Sequence, residues 1–310
     1  MSEKEYSQGR KAVNKSVTMQ APAKVNIHLE VLRQRHDGYH EIETVFQAVS
    51  IFDTVVVDLV EQFPGGEPTI AMTVAPKDSA PADETNLCWL AARHFCRKLG
   101  FSGSLNIHLT KNIPFEAGLG GGSSDAAAVL VACNHLFGSK LDVAELEKLG
   151  EPLGADVPFF IRGGTALGRG TGGILTPMPS IRTGQFLIVK PALKLKTAEV
   201  YGNLKMGLTV NSSKANIKVM KSMLARFPQS SWPGFNRLES AVLPQQPALQ
   251  RLVLQLQDAA PVAMLSGSGS AVVAVFPDGE DLDELVTEFK EAGLYVRVVG
   301  PHSSGVIVQG

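Results

Sequence analysis

"NIPFEAGLGGGSSDAAAVLVACNHLF", residues 112–137, sets glycines at 118, 120, 121 and 122 directly before two serines, an aspartate and an alanine-rich apolar run. Glycine at this density weakens a helix, yet the run that follows is a good helix former. The pattern predicts a helix from about Ser124 to Leu136, entered through a glycine loop. Glycine reaches φ > 0 and lets other groups approach the backbone closely. A helix start offers free N–H groups and a partial positive charge. Together they make an anion site suited to phosphate, which a Cβ at Gly120 or Gly121 would obstruct. Taken alone, the loop also fits a simple helix cap with Ser123 or Ser124 as N-cap.

Three common phosphate loops do not fit. A Walker A loop needs Lys after its last glycine, and Ser123 follows Gly122. The dinucleotide fingerprint GxGxxG fails at its final position, which is Ser123. The protein-kinase glycine hairpin fails at the same place, and no HRD or DFG follows.

Working outward, "KVNIHLEVL" (24–32) alternates Val25, Ile27, Leu29 and Val31 on one face, a strand pattern. "RHDGYH" is a turn, and "EIETVFQAVSIFDTVVVDLV" reads as one or two further strands. A short strand is expected over 70–74, a helix over "ETNLCWLAARHFCRKLG" with Gly100 at its end, and a strand over 104–110. Asp142 is placed to cap a helix reaching about Leu149. Glycines crowd 163–173, the expected domain junction. Beyond it come the strand "QFLIVKP", helices around 214–226 and 246–257, the strand pair "VAMLSGSGSAVVAVF", the helix "DLDELVTEFKEAG" and the strand "YVRVVG". Strands and helices mix without a βαβ rhythm, so the class is α+β in two lobes.

Net charge −1 leaves no basic excess to neutralise a nucleic-acid backbone, so no nucleic-acid partner is expected. The first twenty residues lack an apolar core and include Glu3 and Glu5, unlike a signal or transit peptide. Residues 1–16 are expected to form a disordered tail. No apolar run is long enough to span a membrane, and no membrane partner is expected. Cys88, Cys96 and Cys133 form no CxxC pair and read as small buried hydrophobes in a reducing cytoplasm. His28, His94, His108 and His135 show no metal-ligand spacing, so no protein metal site is expected.

Lys24 before the first strand, P-x-x-x-G-L-G-G-G-S-S from Pro114, and SGSGSA at 266–271, in that order, resemble the three motifs of the GHMP kinases. That family is named for galactokinase, homoserine kinase, mevalonate kinase and phosphomevalonate kinase. The resemblance covers about residues 20–280. "PAKVNIHLEVLRQRHDGYHEIETVFQ", the extra glycine of "GLGGGSSDAA", "GADVPFF" (154–160) and "KTAEVY" (196–201) bring it closer to one branch. The acceptor of that branch is a cytidine diphosphate-linked methylerythritol of the non-mevalonate isoprenoid route. At Gly173 the branch often has Glu.

The resemblance implies a two-lobed fold with the site in the interdomain cleft. It implies an ATP-binding domain over 17–165, a substrate-binding domain over 166–310, and ATP with Mg²⁺. ATP would lie over Gly118, Leu119, Gly120, Gly121, Gly122, Ser123 and Ser124, near Pro114, with Lys111 and Asn86 toward the phosphates or adenine. Asp156 would be the general base and Lys24 its partner. A carboxylate at the edge of an apolar wall is costly unless paired or functional, which supports this. Tyr39 and Tyr201 would stack on cytosine, His40 would read its edge, and Asn26 and Thr197 would bind the polyol diphosphate. Gly267, Ser268 and Gly269 would support the first loop. A monomer or weak homodimer is the expected assembly. Two rivals are a homoserine or mevalonate kinase and a non-catalytic sensor of the same fold. Tyr39, His40 and Tyr201 argue against the first, Lys24 and Asp156 against the second.

Overall fold

A computed structural model describes residues 11–64, 66–204 and 234–309, with residues 221, 222, 224, 227 and 232 of the stretch between. Two long strands, β1 (Lys11–Gln34) and β2 (His40–Gln62), form the antiparallel spine of the first sheet. The pairing slips between Pro22 and Ala23, where Ser50 and Ile51 are left over on β2. Proline has no N–H to give a ladder, so a bulge is where a strand tolerates it.

Below the bulge β2 pairs with β4 (Gly103–Thr110), which carries the parallel edge strand β3 (Thr69–Ala75). Above it β2 pairs with β5 (Thr165–Gly170), which carries β6 (Ile174–Pro177). A second, antiparallel sheet runs β11-β7-β10-β9, from β7 (Gln185–Lys190), β9 (Val262–Leu265), β10 (Val272–Phe276) and β11 (Tyr295–Val299). Strands β8 (Phe235–Asn236) and β12 (Ile307–Val308) return to β1.

The apolar residues settle into three cores. Helices α1 (Leu87–Leu99), α2 (Gly121–Leu136), α3 (Val143–Gly150) and α4 (Val157–Arg162) cover one face of the first sheet, around Phe46, Phe95, Leu130 and Phe159. Asp142 starts α3 with a reciprocal capping box to Glu145. Strand alternation divides β7: Phe186 and Ile188 pack toward Val25 and Ile27 of the first sheet, Leu187 and Val189 the other way. On that far side lie α5 (Thr197–Gly202), α6 (Glu239–Val242), α7 (Pro247–Ala259) and α8 (Asp283–Glu291).

Three expectations need correction. Residues 11–16, assigned to a tail, are the start of β1, where Lys11 pairs with Gln62 and Ser16 with Asp58. Main-chain bonds hold this polar segment, so no apolar pattern announces it. The glycine-rich stretch 163–173 is a packing site and no junction. A Cβ on Gly168 would lie 2.6 Å from the Phe46 ring, and one on Gly163 would strike the backbone of Ser304 and Gly305. The first sheet accordingly continues past residue 165 to Pro177. Helix α2 begins at Gly121, three residues before its expected start, with Gly120 as N-cap in place of a serine. Residues 1–10 and most of the helix expected over 214–226 lie outside the described residues.

Candidate active site

The three motifs converge on one cleft of about 1120 Å³ between the two sheets, lined by Lys24, Tyr39, Gly118–Ser123, Asp156, Tyr201 and Gly267 among others. The glycine loop enters it with Gly118 (φ 75°) and Gly120 (φ 74°) left-handed, a conformation only glycine adopts freely. The first ladder bond of α2 runs from the Ser124 N–H to the Gly120 carbonyl. The N–H groups of Gly121, Gly122 and Ser123 therefore precede the ladder, and no side chain caps them. Free N–H groups at a helix start are what an anion site needs.

The SGSGSA loop, between β9 and β10, clasps the glycine loop. Ala271 N–H donates to the Ala117 carbonyl at 3.1 Å and Ser266 Oγ to the Gly118 carbonyl at 2.9 Å. A Cβ on Gly118 would run into the Ser266 carbonyl. Gly267 lies so close to Lys24 that a Cβ there would be 3.3 Å from Nζ.

Lys24 is only 4 % exposed. Its ammonium donates to Asn26 Oδ1 at 2.6 Å and to the Gly118 carbonyl at 2.8 Å, and lies 3.9 Å from Asp156 Oδ2. Asn26 is fixed in turn by its own Nδ2, which donates to Thr44 Oγ1 at 2.7 Å. Burial pulls the Lys24 pKa below its usual 10.5, and the Asp156 charge offsets part of the shift. Asp156 precedes α4, whose Phe159 and Phe160 are buried, and its own side chain is 30 % exposed toward the cleft. The result is one held cation facing one accessible carboxylate, the pair of charges that proton transfer from a hydroxyl needs.

At the far end, the β1–β2 hairpin brings His40 against Tyr201 of α5, ring centroids 5.1 Å apart. Burial, helped by the Asp156 charge, raises the Tyr201 phenol pKa. Tyr39 is 66 % exposed and also lines the cleft. Thr197 and Ser268 share a hydroxyl hydrogen bond of 2.9 Å, tying α5 to the SGSGSA loop.

Three of the residues expected at the nucleotide have other partners. Asn86 caps α1, accepting from the Cys88 N–H at 2.9 Å and donating to the Pro81 carbonyl at 2.6 Å, while Leu87 lines the cleft. Ser124 is buried and donates to the Pro22 carbonyl at 2.7 Å, which leaves Ser123 as the serine on the cleft. Lys111 lies between Asp53 and Asp125. Sequence reading overlooked Thr44, Ser266 and Phe46, over whose ring the Lys24 ammonium sits at 5.6 Å. All three lie inside quoted motifs, Thr44 and Phe46 in "HEIETVFQ" and Ser266 at the start of SGSGSA, but none was singled out there.

The glycines now separate into structural and ligand-facing positions. A Cβ on Gly120 would stand 2.5 Å from Phe160 Cζ and 3.2 Å from Lys24 Cγ, and one on Gly121 3.0 Å from Lys111 Nζ. One on Gly122 meets only Leu87 Cδ1, at 3.7 Å. Gly120→Val is expected to unfold the loop, at a cost of about 2–4 kcal/mol in stability. Gly122→Ala should melt at or above the wild-type temperature and bind a non-hydrolysable ATP analogue roughly tenfold more weakly. Thermal melts and calorimetry on the two variants check this. Unchanged nucleotide affinity in Gly122→Ala would remove the loop from the nucleotide site.

Fold and cleft agree with a class of phosphotransferases. Residues 86–164 match the family described as "GHMP kinases N terminal domain" and residues 216–294 "GHMP kinases C terminal". The 4-diphosphocytidyl-2-C-methyl-D-erythritol kinase of Solibacter usitatus is 35 % identical over 306 residues, covering 92 % of this chain and 93 % of that protein. The enzyme of the same name from Pelobacter propionicus is 37 % identical over 286 residues, covering 92 % and 98 %. A crystal structure of a 4-(cytidine 5'-diphospho)-2C-methyl-D-erythritol kinase superposes with a TM-score of 0.72 at 31 % identity, over 91 % of this chain and 99 % of that one. A homoserine kinase from Cytophaga hutchinsonii, at 20 % identity and a TM-score of 0.73 over 96 % and 99 %, shares the fold. The chain belongs to the 4-diphosphocytidyl-2-C-methyl-D-erythritol kinase family of GHMP small-molecule kinases.

Proposed function

We propose that the protein transfers the γ-phosphoryl group of ATP to the 2-hydroxyl of 4-diphosphocytidyl-2-C-methyl-D-erythritol, in the non-mevalonate route to isoprenoid precursors. The observation that carries this reading is the Lys24–Asp156 pair, 3.9 Å apart, with the helix-start N–H groups and the His40–Tyr201 pair lining the same cleft. Phosphoryl transfer needs little covalent help from a protein; positioning and charge stabilisation dominate.

Gly121, Gly122 and Ser123 hold the polyphosphate through backbone N–H groups. The Asp156 carboxylate orients the acceptor hydroxyl and takes its proton as the new O–P bond forms and the bond to the β-phosphate oxygen breaks. Lys24 stabilises the negative charge on the transferring group, with Asn26 and the Gly118 carbonyl fixing its ammonium. Among the described residues no three His, Cys, Asp or Glu side chains gather to hold a metal. When bound with ATP, Mg²⁺ would supply neutralising charge on the polyphosphate, and Ser123, the loop serine on the cleft, is the hydroxyl placed to hold it. The base pocket draws Tyr39 and His40 from the first sheet and Tyr201 from the second lobe, so both lobes bind the acceptor.

The three cysteines are free and buried, which supports a cytoplasmic enzyme. Among the described residues no helix is long and apolar enough to cross a membrane. We read the enzyme as a monomer or weak homodimer without a nucleic-acid partner.

Initial rates over an acceptor panel test the proposal. The cytidine diphosphate-linked polyol should be phosphorylated and its uridine analogue used at least roughly tenfold less well, because only edge hydrogen bonds separate two pyrimidines of one shape. Homoserine and mevalonate should give no product. Equal use of methylerythritol phosphate, which has no base, would overturn the substrate assignment.

A further inference from the structure

Behind the glycine loop lies a charged cluster that the reaction above does not use. Lys111, at the end of β4, buries its ammonium between Asp53 of β2 and Asp125 of α2. Asp53 is fully buried, and its Oδ1 also accepts from the N–H groups of Asn112 and Ile113. Asp125 Oδ2 accepts from Lys111 Nζ at 2.6 Å, whereas Asp125 Oδ1 is buried with no hydrogen-bond partner. The cluster thus ties β2, the β4 end and α2 together through one ammonium.

Its position relative to the loop gives it a function. Asp125 follows Gly121 by four residues, one helical turn. The Lys111 ammonium lies 3.0 Å from where a Gly121 Cβ would stand, so it sits against the first turn of α2. A cation at a helix N-terminus opposes the helix dipole, and it stays there because two carboxylates hold it. We propose that Asp125 is a positioning residue for the nucleotide: by holding Lys111 against the back of the first turn, it keeps the loop N–H groups aimed at the phosphates. This rests on the reading of the glycine loop as the ATP site.

The cluster carries two carboxylates for one ammonium, so full ionisation leaves one negative charge directly behind the phosphates. The groups that face Asp125 are Lys111, Asp53 and the buried Cys88 thiol of α1. Burial raises the pKa of Tyr295 of β11, which is close enough for the Asp53 charge to add to the shift. Burial raises the Asp125 pKa far above the usual carboxylate range, with Lys111 opposing the shift.

The test is calorimetry with a non-hydrolysable ATP analogue, alongside kcat and both KM values, for wild type, Asp125→Ala and Asp125→Asn. Asp125→Ala should weaken analogue binding and raise the KM for ATP roughly tenfold, the effect of losing a charged hydrogen bond. The acceptor KM should stay within about twofold of wild type, since the change acts on the nucleotide side alone. Asp125→Asn keeps an oxygen for Lys111 and should restore affinity at neutral pH. Unaltered analogue affinity in a folded Asp125→Ala, or an equal rise in both KM values, would overturn the proposal. If Asp125→Ala does not fold, Asp125→Ser, whose hydroxyl is too short to reach Lys111, is measured in its place, and unaltered analogue affinity would overturn the proposal. Failure of wild type itself to bind the analogue would instead sink the ATP reading of the loop.

Discussion

Asp156→Asn is expected to lower kcat roughly a hundredfold or more, a loss of about 3 kcal/mol at the transition state, while ATP and acceptor still bind. The amide is isosteric and keeps the shape of the α4 N-terminus, but it accepts no proton. It also removes the charge 3.9 Å from Lys24. The Lys24 ammonium already titrates below 10.5 because of burial, and Asp156 is what raises it. In the variant its midpoint should fall further, so the charged form is lost at a lower pH as pH rises. Single-turnover rates and the side-chain resonance of Lys24 report the two effects separately. Near-normal kcat would reduce Asp156 to a structural partner of Lys24.

Removing the aromatic rings should show in binding before it shows in turnover. In the double variant Tyr39→Ala/Tyr201→Ala, the KM for the cytidine substrate should rise roughly ten- to a hundredfold, since stacking contributes about 1–3 kcal/mol per base. Tyr201 packs on His40, so its loss also frees the imidazole that we propose reads the base edge. Turnover at saturation should fall less, because Lys24 and Asp156 still flank the hydroxyl. Steady-state kinetics with the cytidine and uridine substrates check this. A double variant with unchanged KM would remove the aromatic residues from the acceptor site.

Local features of the site were legible in the residues, and contacts across the chain were not. The glycine loop, the capping Asp142 and the alternation of Val25, Ile27, Leu29 and Val31 in β1 each declare themselves within a few residues. The Asp53–Lys111 contact spans 58 residues, so nothing near Lys111 showed that its charge was already taken. A lysine beside a phosphate loop therefore read as a side chain that reaches a phosphate or the adenine. The same holds for Ser124, whose partner is the Pro22 carbonyl 102 residues away. The glycines at 163 and 168 misled for a different reason. Glycine marks both mobile junctions and close packing, and only the positions of Ser304, Gly305 and Phe46 decide between the two. Asn86 was different again, since an Asn before an apolar helical run already fits an N-cap. The family resemblance places it near the adenine, and the structure shows it capping α1, next to Leu87 on the cleft.

The most direct test of the account follows the phosphoryl group itself. ATP labelled at the γ-phosphorus is mixed with the enzyme, Mg²⁺ and 4-diphosphocytidyl-2-C-methyl-D-erythritol for a single turnover, and the attachment point of the new phosphate is read by phosphorus–carbon coupling in the product. The account predicts label on the 2-oxygen of the polyol, with the cytidine diphosphate intact. Label on another hydroxyl, or release of labelled inorganic phosphate without a phosphorylated polyol, would contradict it.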